Sequence, residues 1–181
     1  MRAIASEARV QPAAIYHHYA NKEDILVGLQ DDFMQRLTDQ VVAALGRHER
    51  PALRLAAAVR EHVVFHGLHT RAAFVTDSEI RALTEGPRAA LVAKRDGYQR
   101  TFSGMIRDGI RDGSLRTSDV HVATYAILLQ CTGVALWFDP RGPLGLEEVA
   151  ELHVELVLGS LQASRELIAE AIESGRVGAA P

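Results

Sequence analysis

MRAIASEARVQPAAIYHHYANKED, residues Met1 to Asp24, is the stretch whose reading decides the fold. Its apolar positions Ile4, Ala5, Ala8, Val10, Ile15 and Tyr19 recur at steps of three and four. That spacing predicts two short helices sharing one buried side. Arg9-Val10 is long enough only for a turn between them. Pro12 then falls in the first turn of the second helix, where a missing N–H costs nothing. The outward face of that helix carries Gln11, Ala14, Tyr16, His17 and His18. Small, aromatic and hydrogen-bonding side chains on one face of a short helix suit a DNA major groove.

The run Arg2-Ala3-Ile4-Ala5, Ala8, Val10, Tyr16, His18, Tyr19 and Asn21-Lys22-Glu23 resembles, without gaps, the DNA-binding signature of TetR-family transcriptional regulators. The resemblance implies an all-α protein that binds a palindromic double-stranded operator as a homodimer and is released by a small-molecule effector. It implies that Gln11, Ala14, Tyr16 and His17 meet the groove, with Tyr16 and Lys22 on phosphates. Arg2 approaches the backbone or an adjacent base, and Ala14 suits a thymine methyl. His18 is shared between DNA contact and, with Tyr19, holding the head against the next helix. Two departures stand out. Arg9 replaces the family's turn glycine and must take a left-handed conformation at some cost, unless the turn differs. The family's first helix does not precede this stretch in the sequence. That suggests a shortened reading of the gene, and leaves as a second function a dimeric small-molecule-binding protein without DNA activity.

The totals agree with a folded binding protein. The chain has 181 residues, 48% hydrophobic and 24% charged, with a formal charge of −3. It can bury a real core and has no global basic field. Within residues 1–22, Arg2, Arg9 and Lys22 against Glu7 leave +2, a weak footprint that a dimer would double. The single cysteine, Cys131, excludes an intramolecular disulfide and fits a reducing cytoplasm. Thr124, Gln130, Thr132 and Gly133 interrupt the apolar run Val122–Phe138, which reads as a buried helix and not as a membrane span.

Beyond the head the pattern is helical throughout. Asn21 caps a connecting helix running to about Leu45, striped by Ile25, Leu26, Leu29, Phe33, Leu37, Val41 and Leu45. Residues 1–24 thus form the reading head, continued by that helix, and 46–181 an effector-binding and dimerisation domain. Further helices are expected over Ala52–Leu68, Ala72–Leu83 (ended by Glu85-Gly86-Pro87), Arg88–Asp112, Val120–Phe138 and Leu146–Ile172, with a frayed tail from Gly175. Gly113 is a C-cap and Asp119 lies among the next N-cap residues. The last two helices, turned back by the Asp139–Gly145 loop, form an antiparallel pair. Val134, Trp137, Leu152, Leu156, Gly159, Ser160 and Ala163 are expected to meet the same surface of a second copy. The Gly-Ser-Leu-Arg link and the Trp-Phe-x-Pro-x-Gly-Pro-Leu loop resemble TetR-type regulators that respond to lipids or acyl-CoA.

The effector is expected among Val63, Phe74, Tyr98, Phe102, Met105 and Leu129, with an apolar or acyl-type ligand. His62, His66 and His69 share one helix face; imidazoles at this spacing can converge on a metal ion. No carboxylate or cysteine joins them, so the reading adopted is a polar face or pocket lining, with no metal and no cofactor. No Gly-x-Ser-x-Gly elbow, Walker loop, Cys-x-x-Cys pair or His-Glu-x-x-His is present. Cys131 lies in the most apolar helix, where a thiol is inert packing. The chemistry points to binding, not catalysis.

Overall fold

The computed structural model describes residues 2–7, 9 and 11–177; for Arg2, Ala3, Ile4, Pro12, Tyr16 and Val177 it describes the backbone alone. Ten α-helices follow in order among these residues. They are α1 (Arg2–Glu7), α2 (Pro12–His18), α3 (Lys22–Leu45), α4 (Pro51–Leu68) and α5 (Thr70–Ser78). After a 3-10 turn over Glu79–Ala82 come α6 (Glu85–Arg111), α7 (Val120–Thr132), α8 (Val134–Trp137), α9 (Leu146–Ser160) and α10 (Arg165–Val177). No strand occurs among the described residues, as the helical periodicity requires.

α4 is the axis of the body. Ala52, Leu55, Ala56, Ala58, Val59, Val63 and Phe65 bury it on nearly every side. A helix apolar all round must be enclosed, and α3, α6, α7, α9 and α10 enclose it. α3 turns a narrower stripe to this core: Leu26, Phe33, Leu37, Val41 and Leu45 are buried, while Leu29 stays exposed. Its start is capped as expected, with the Asn21 side chain accepting from the Asp24 N–H at 2.9 Å.

Four boundaries differ from the sequence expectation. Gly86-Pro87 lies inside the first turn of α6 and does not end the preceding helix. Proline is tolerated there because the first N–H groups of a helix have no intrahelical partner. The stretch Ala72–Leu83 begins earlier, at Thr70, and tightens into the 3-10 turn. The apolar helix after Asp119 breaks at Gly133, and Val134–Trp137 continues as a separate short helix. The last helix also divides. The Leu161 N–H is shared between the carbonyls of Val157 and Leu158, each at 3.2 Å, and Gln162 turns left-handed with φ 56°. The Leu161 carbonyl leaves the helix to accept from Arg116 N at 2.7 Å. Ser164 then caps α10 through the Leu167 N–H, and α10 runs past Gly175 to Val177. The expected pair is therefore modified: α7 and α9 both pack on α4 and not principally on each other.

Candidate functional site

In the head, Arg9 takes the left-handed conformation with φ 55°, and its N–H closes the turn on the Ser6 carbonyl at 3.1 Å. This is the conformation for which glycine is ordinarily used, here held by arginine. Gln11, in extended backbone, precedes α2. Gln11, Ala14, His17 and His18 are all exposed, with the two imidazoles edge-to-face at 5.1 Å. Lys22, also exposed, is the first residue of α3. The side chains of Arg2 and Tyr16, and residues Ala8 and Val10, lie outside the described residues.

Two short contacts fasten this head to the body. Tyr19 lies over Gly28 of α3, close enough that a methyl group there would sit 3.3 Å from the ring. Glu23, in the first turn of α3, accepts from both the N–H and the hydroxyl of Thr84, at 2.6 and 2.7 Å. These two hydrogen bonds hold the Glu23 carboxyl below the usual carboxylate range. Further along, Lys94 of α6 pairs with Asp31 of α3. The connecting helix is thus tied to the start and middle of α6.

A cavity of about 720 Å3 opens between α3, α4, α5, α6, α7 and α8. Its walls are mainly apolar. Phe33, Met34 and Leu37 come from α3, Val92 from α6, and Leu128, Leu129 and Leu136 from α7 and α8. Phe74, 59% exposed, and Leu129, 76% exposed, stand at its rim, and Tyr98 lies in its floor. Of the six residues expected to line an effector site, the structure brings these three together. Val63, Phe102 and Met105 do not reach it. They are buried in the core behind it, which corrects their placement: helical spacing alone does not separate a residue facing a cavity from one facing a neighbouring side chain. Of the connecting helix's own contribution, Phe33 and Leu37 were visible in the sequence only as part of a core stripe, and Met34 lay outside that stripe.

The floor is polar and ordered. His62, 2% exposed, bridges Tyr98 and Thr132: its Nδ1 lies 2.8 Å from the Tyr98 hydroxyl and its Nε2 3.0 Å from the Thr132 hydroxyl. His66 stacks on it with ring centroids 4.2 Å apart, and its Nδ1 donates to the His62 carbonyl at 2.8 Å. Burial pushes both imidazoles towards the neutral form, His62 strongly, and pushes the Tyr98 phenol up. His69 points elsewhere, accepting from Arg36 at 3.2 Å. Arg95 borders the cavity and donates to the Thr76 carbonyl and to Asp77. His62, His66, Thr132 and Arg95 are lining residues missing from the expected set. The i, i+4 histidines were the signal for the first two, but Thr132 and Arg95 gave none. Among the described residues no group of three or more His, Cys, Asp or Glu is placed to hold a metal ion. Burial carries the Cys131 thiol up to about 12.

A second cavity, of about 630 Å3, lies on the opposite side of α4 and is bordered by α3, α9 and α10. Ala44, Ala56, Ala57 and Ala171 make room for it, and ion pairs cross its margin: Arg60 with Glu147, and Arg176 with Glu151 at 2.6 Å.

An uncovered apolar surface runs along α7, α8 and α9. Val122, Tyr125, Leu129, Leu136, Trp137, Leu152 and Leu156 are each between 44 and 76% exposed. Gly159 and Ser160 are exposed beside them, Ala163 is half-buried, and a methyl group added at Gly159 would meet nothing within 4 Å. Val134 is the exception. It is completely buried in its own chain and has no surface left to offer a partner, which corrects its place among the interface residues. The run Val120–Trp137 is apolar and long enough to span a membrane by length and composition, yet only 22% of it is buried within this chain.

A short helix-turn-helix on a connecting helix, followed by a helical body with an apolar cavity, defines a ligand-binding regulator of transcription. The model of bacterial regulatory proteins of the tetR family matches residues 1–29, and that of the tetracyclin repressor-like C-terminal domain matches residues 48–161. The chain belongs to the tetR family. It is 28% identical over 170 residues to the HTH-type transcriptional repressor KstR2 of Mycolicibacterium smegmatis, covering 91% of this chain and 82% of that one. A tetR-family regulatory protein from Rhodococcus RHA1 superposes with TM-score 0.84 at 25% identity, covering 90% and 86% of the two chains. AibR, solved with isovaleryl coenzyme A and operator DNA, superposes with TM-score 0.77 at 25% identity, covering 84% and 83%.

Proposed function

We propose that the chain is a dimeric repressor, held on a palindromic operator by two copies of the α1–α2 head and released when an apolar or acyl-type effector enters the 720 Å3 cavity. One observation carries this reading. The cavity wall includes Phe33, Met34 and Leu37 of α3, the same helix that begins at Lys22 in the head. A ligand that displaces those side chains acts directly on a rod of 24 residues, about 36 Å long. Successive major grooves lie about 34–36 Å apart, so a small rotation of two such rods takes the heads out of register. The division into a head at 1–24, a connecting helix to about 45 and an effector and dimerisation body over 46–181 fits this working cycle.

In this reading Gln11, Ala14, Tyr16 and His17 face the groove, Arg2, Tyr16 and Lys22 face the backbone, and His18 serves both DNA and head. Trp137, Leu152, Leu156, Gly159, Ser160 and Ala163 meet a second copy. The exposed apolar surface of α7–α9 supports that pairing, because a monomer rarely leaves so many large apolar side chains bare on adjoining helices. The protein works by binding, in the cytoplasm with its DNA, and not by catalysis. AibR's complex with an acyl thioester and DNA supports the effector class.

The test is fluorescence anisotropy on DNA from the gene's own promoter region, with and without a panel of acyl thioesters and free acids. Effectors should lower operator affinity at fixed salt. A panel that leaves both affinity and melting temperature unchanged removes the effector class. Lys22→Ala should weaken binding equally across sequences and reduce the salt slope by about one contact.

A further inference from the structure

The effector cavity's floor contains a hydrogen-bond acceptor with nothing to accept. His66 is 3% exposed and borders the cavity. Because its Nδ1 donates to the His62 carbonyl at 2.8 Å, the ring proton of the neutral form sits on Nδ1. Nε2 is then a bare lone pair. Among the described residues no group donates to it. The described side-chain atoms that are both sealed and without a partner belong to Gln30, Arg54, Arg60 and Arg95, so His66 Nε2 keeps an opening, and the cavity is what the ring borders.

The surroundings hold this lone pair in place. His62 stacks on one side at 4.2 Å, and Phe33 meets the ring edge-on at 5.5 Å. The neighbouring cation, Arg95, is already engaged by the Thr76 carbonyl and Asp77. Burial, with His69 and Arg95 adding to it against the His62 carbonyl and Asp77, holds the imidazole pKa below its ordinary value, so at neutral pH the ring is neutral and Nε2 is an acceptor. His62 differs, since both its nitrogens have hydroxyl partners. A ligand group that fills the remaining space must therefore give a proton to be matched. A carbonyl or ether oxygen would face a lone pair with a lone pair.

We propose that His66 Nε2 is the specificity-determining acceptor of the cavity, and that its effector carries a hydroxyl or amide N–H donor at the buried end of an apolar body. This rests on the reading of the cavity as the effector site. The ring also touches Phe33 of α3, so a donor seated on Nε2 is felt by the connecting helix.

The experiment compares two probes of nearly equal shape, phenylpentanol and phenylpentyl fluoride, by calorimetric titration of the full chain. The wild type should bind the alcohol about tenfold more tightly, since a buried acceptor discriminates against a ligand lacking the donor. In His66→Phe, which keeps an aromatic ring against His62 and Phe33, that preference should fall to about one while the fluoride still binds. Equal binding of both probes to the wild type, or a preference that persists in His66→Phe, overturns the assignment and leaves the cavity itself standing. Failure of both probes to bind at their solubility limits overturns the cavity as an apolar-ligand site, and the role of His66 with it. Nitrogen-15 NMR of the histidines in the wild type needs no variant. The His66 Nε2 resonance should move with the alcohol and stay in place with the fluoride; the reverse outcome overturns the proposal.

Discussion

The two sides of α4 carry cavities of similar size and opposite character. Towards α3, α6 and α7 the helix presents His62 and His66 to about 720 Å3 bordered mainly by apolar side chains. On the other side Arg60 and the small residues Ala56 and Ala57 face about 630 Å3 crossed by ion pairs to α9 and α10. Volume does not decide what a cavity is for. In the second, the polar groups engage each other and fasten helices together: Arg60 reaches Glu147, Arg176 reaches Glu151, and Arg50 reaches Glu170 nearby. In the first, Arg95 is tied to Asp77 at the border, the two floor histidines are neutral and held in fixed orientations, and one acceptor remains open. Pre-oriented polar groups in an apolar wall are the usual makings of a ligand site.

The sharpest way to break this comparison is to separate wall from core behind the first cavity. Phe102→Ala, fully buried against Tyr98 and His62, should cost about 3–5 kcal/mol in urea unfolding. Phe74→Ala, at the rim, should cost less than about 0.5 kcal/mol yet weaken effector binding. Comparable losses in the two variants would mean that the rim belongs to the core. Tyr98→Phe removes one hydroxyl and strands His62 Nδ1, an expected cost of about 1–2 kcal/mol seen as a lower unfolding midpoint.

On the other side of the helix, Arg60→Met should cost only about 1 kcal/mol by the same measurement, because Glu147 is 59% exposed and falls back on water. A larger loss would give the ion pairs a stabilising weight that their solvent access does not suggest. Cys131, with its thiol at about 12, should resist a thiol reagent at pH 8 until the chain unfolds. The smallest effect concerns the head. Glu23 titrates lower in the folded chain than in the unfolded one, so its clasp on Thr84 is intact above the ordinary carboxylate range. The clasp is lost as pH falls through the lowered value. Protection of the Thr84 amide, relative to its intrinsic exchange rate at each pH, should fall on acidification. Glu23→Gln should remove that pH dependence, and Thr84→Ala, which keeps the N–H bond and loses only the hydroxyl bond, should reduce it.

How much was legible can be judged residue by residue. Asn21 as a cap, Asp119 as a cap and Gly113 with φ 82° are local matters of backbone and side-chain hydrogen bonding, and the sequence carries them. Arg9 in a left-handed turn followed from the family pattern, because the geometry of that turn leaves little choice. Gly86-Pro87 misled because proline's effect depends on whether it lies before, inside or after a helix's first turn. Val134 and Leu129 look alike in the sequence, yet one has no exposed surface and the other 76%.

Periodicity determined that this chain is helical, and the Met1–Asp24 motif, through its family resemblance, determined where its reading head lies. Those properties depend on neighbours within a few residues. Only the tertiary structure decided which apolar residues face a cavity, which face the core and which are left bare. Thr132 reaches His62 across 70 positions, and Thr84 reaches Glu23 across 61. Contacts of that separation arise from the packing of whole helices, whose crossing and offset no local pattern encodes.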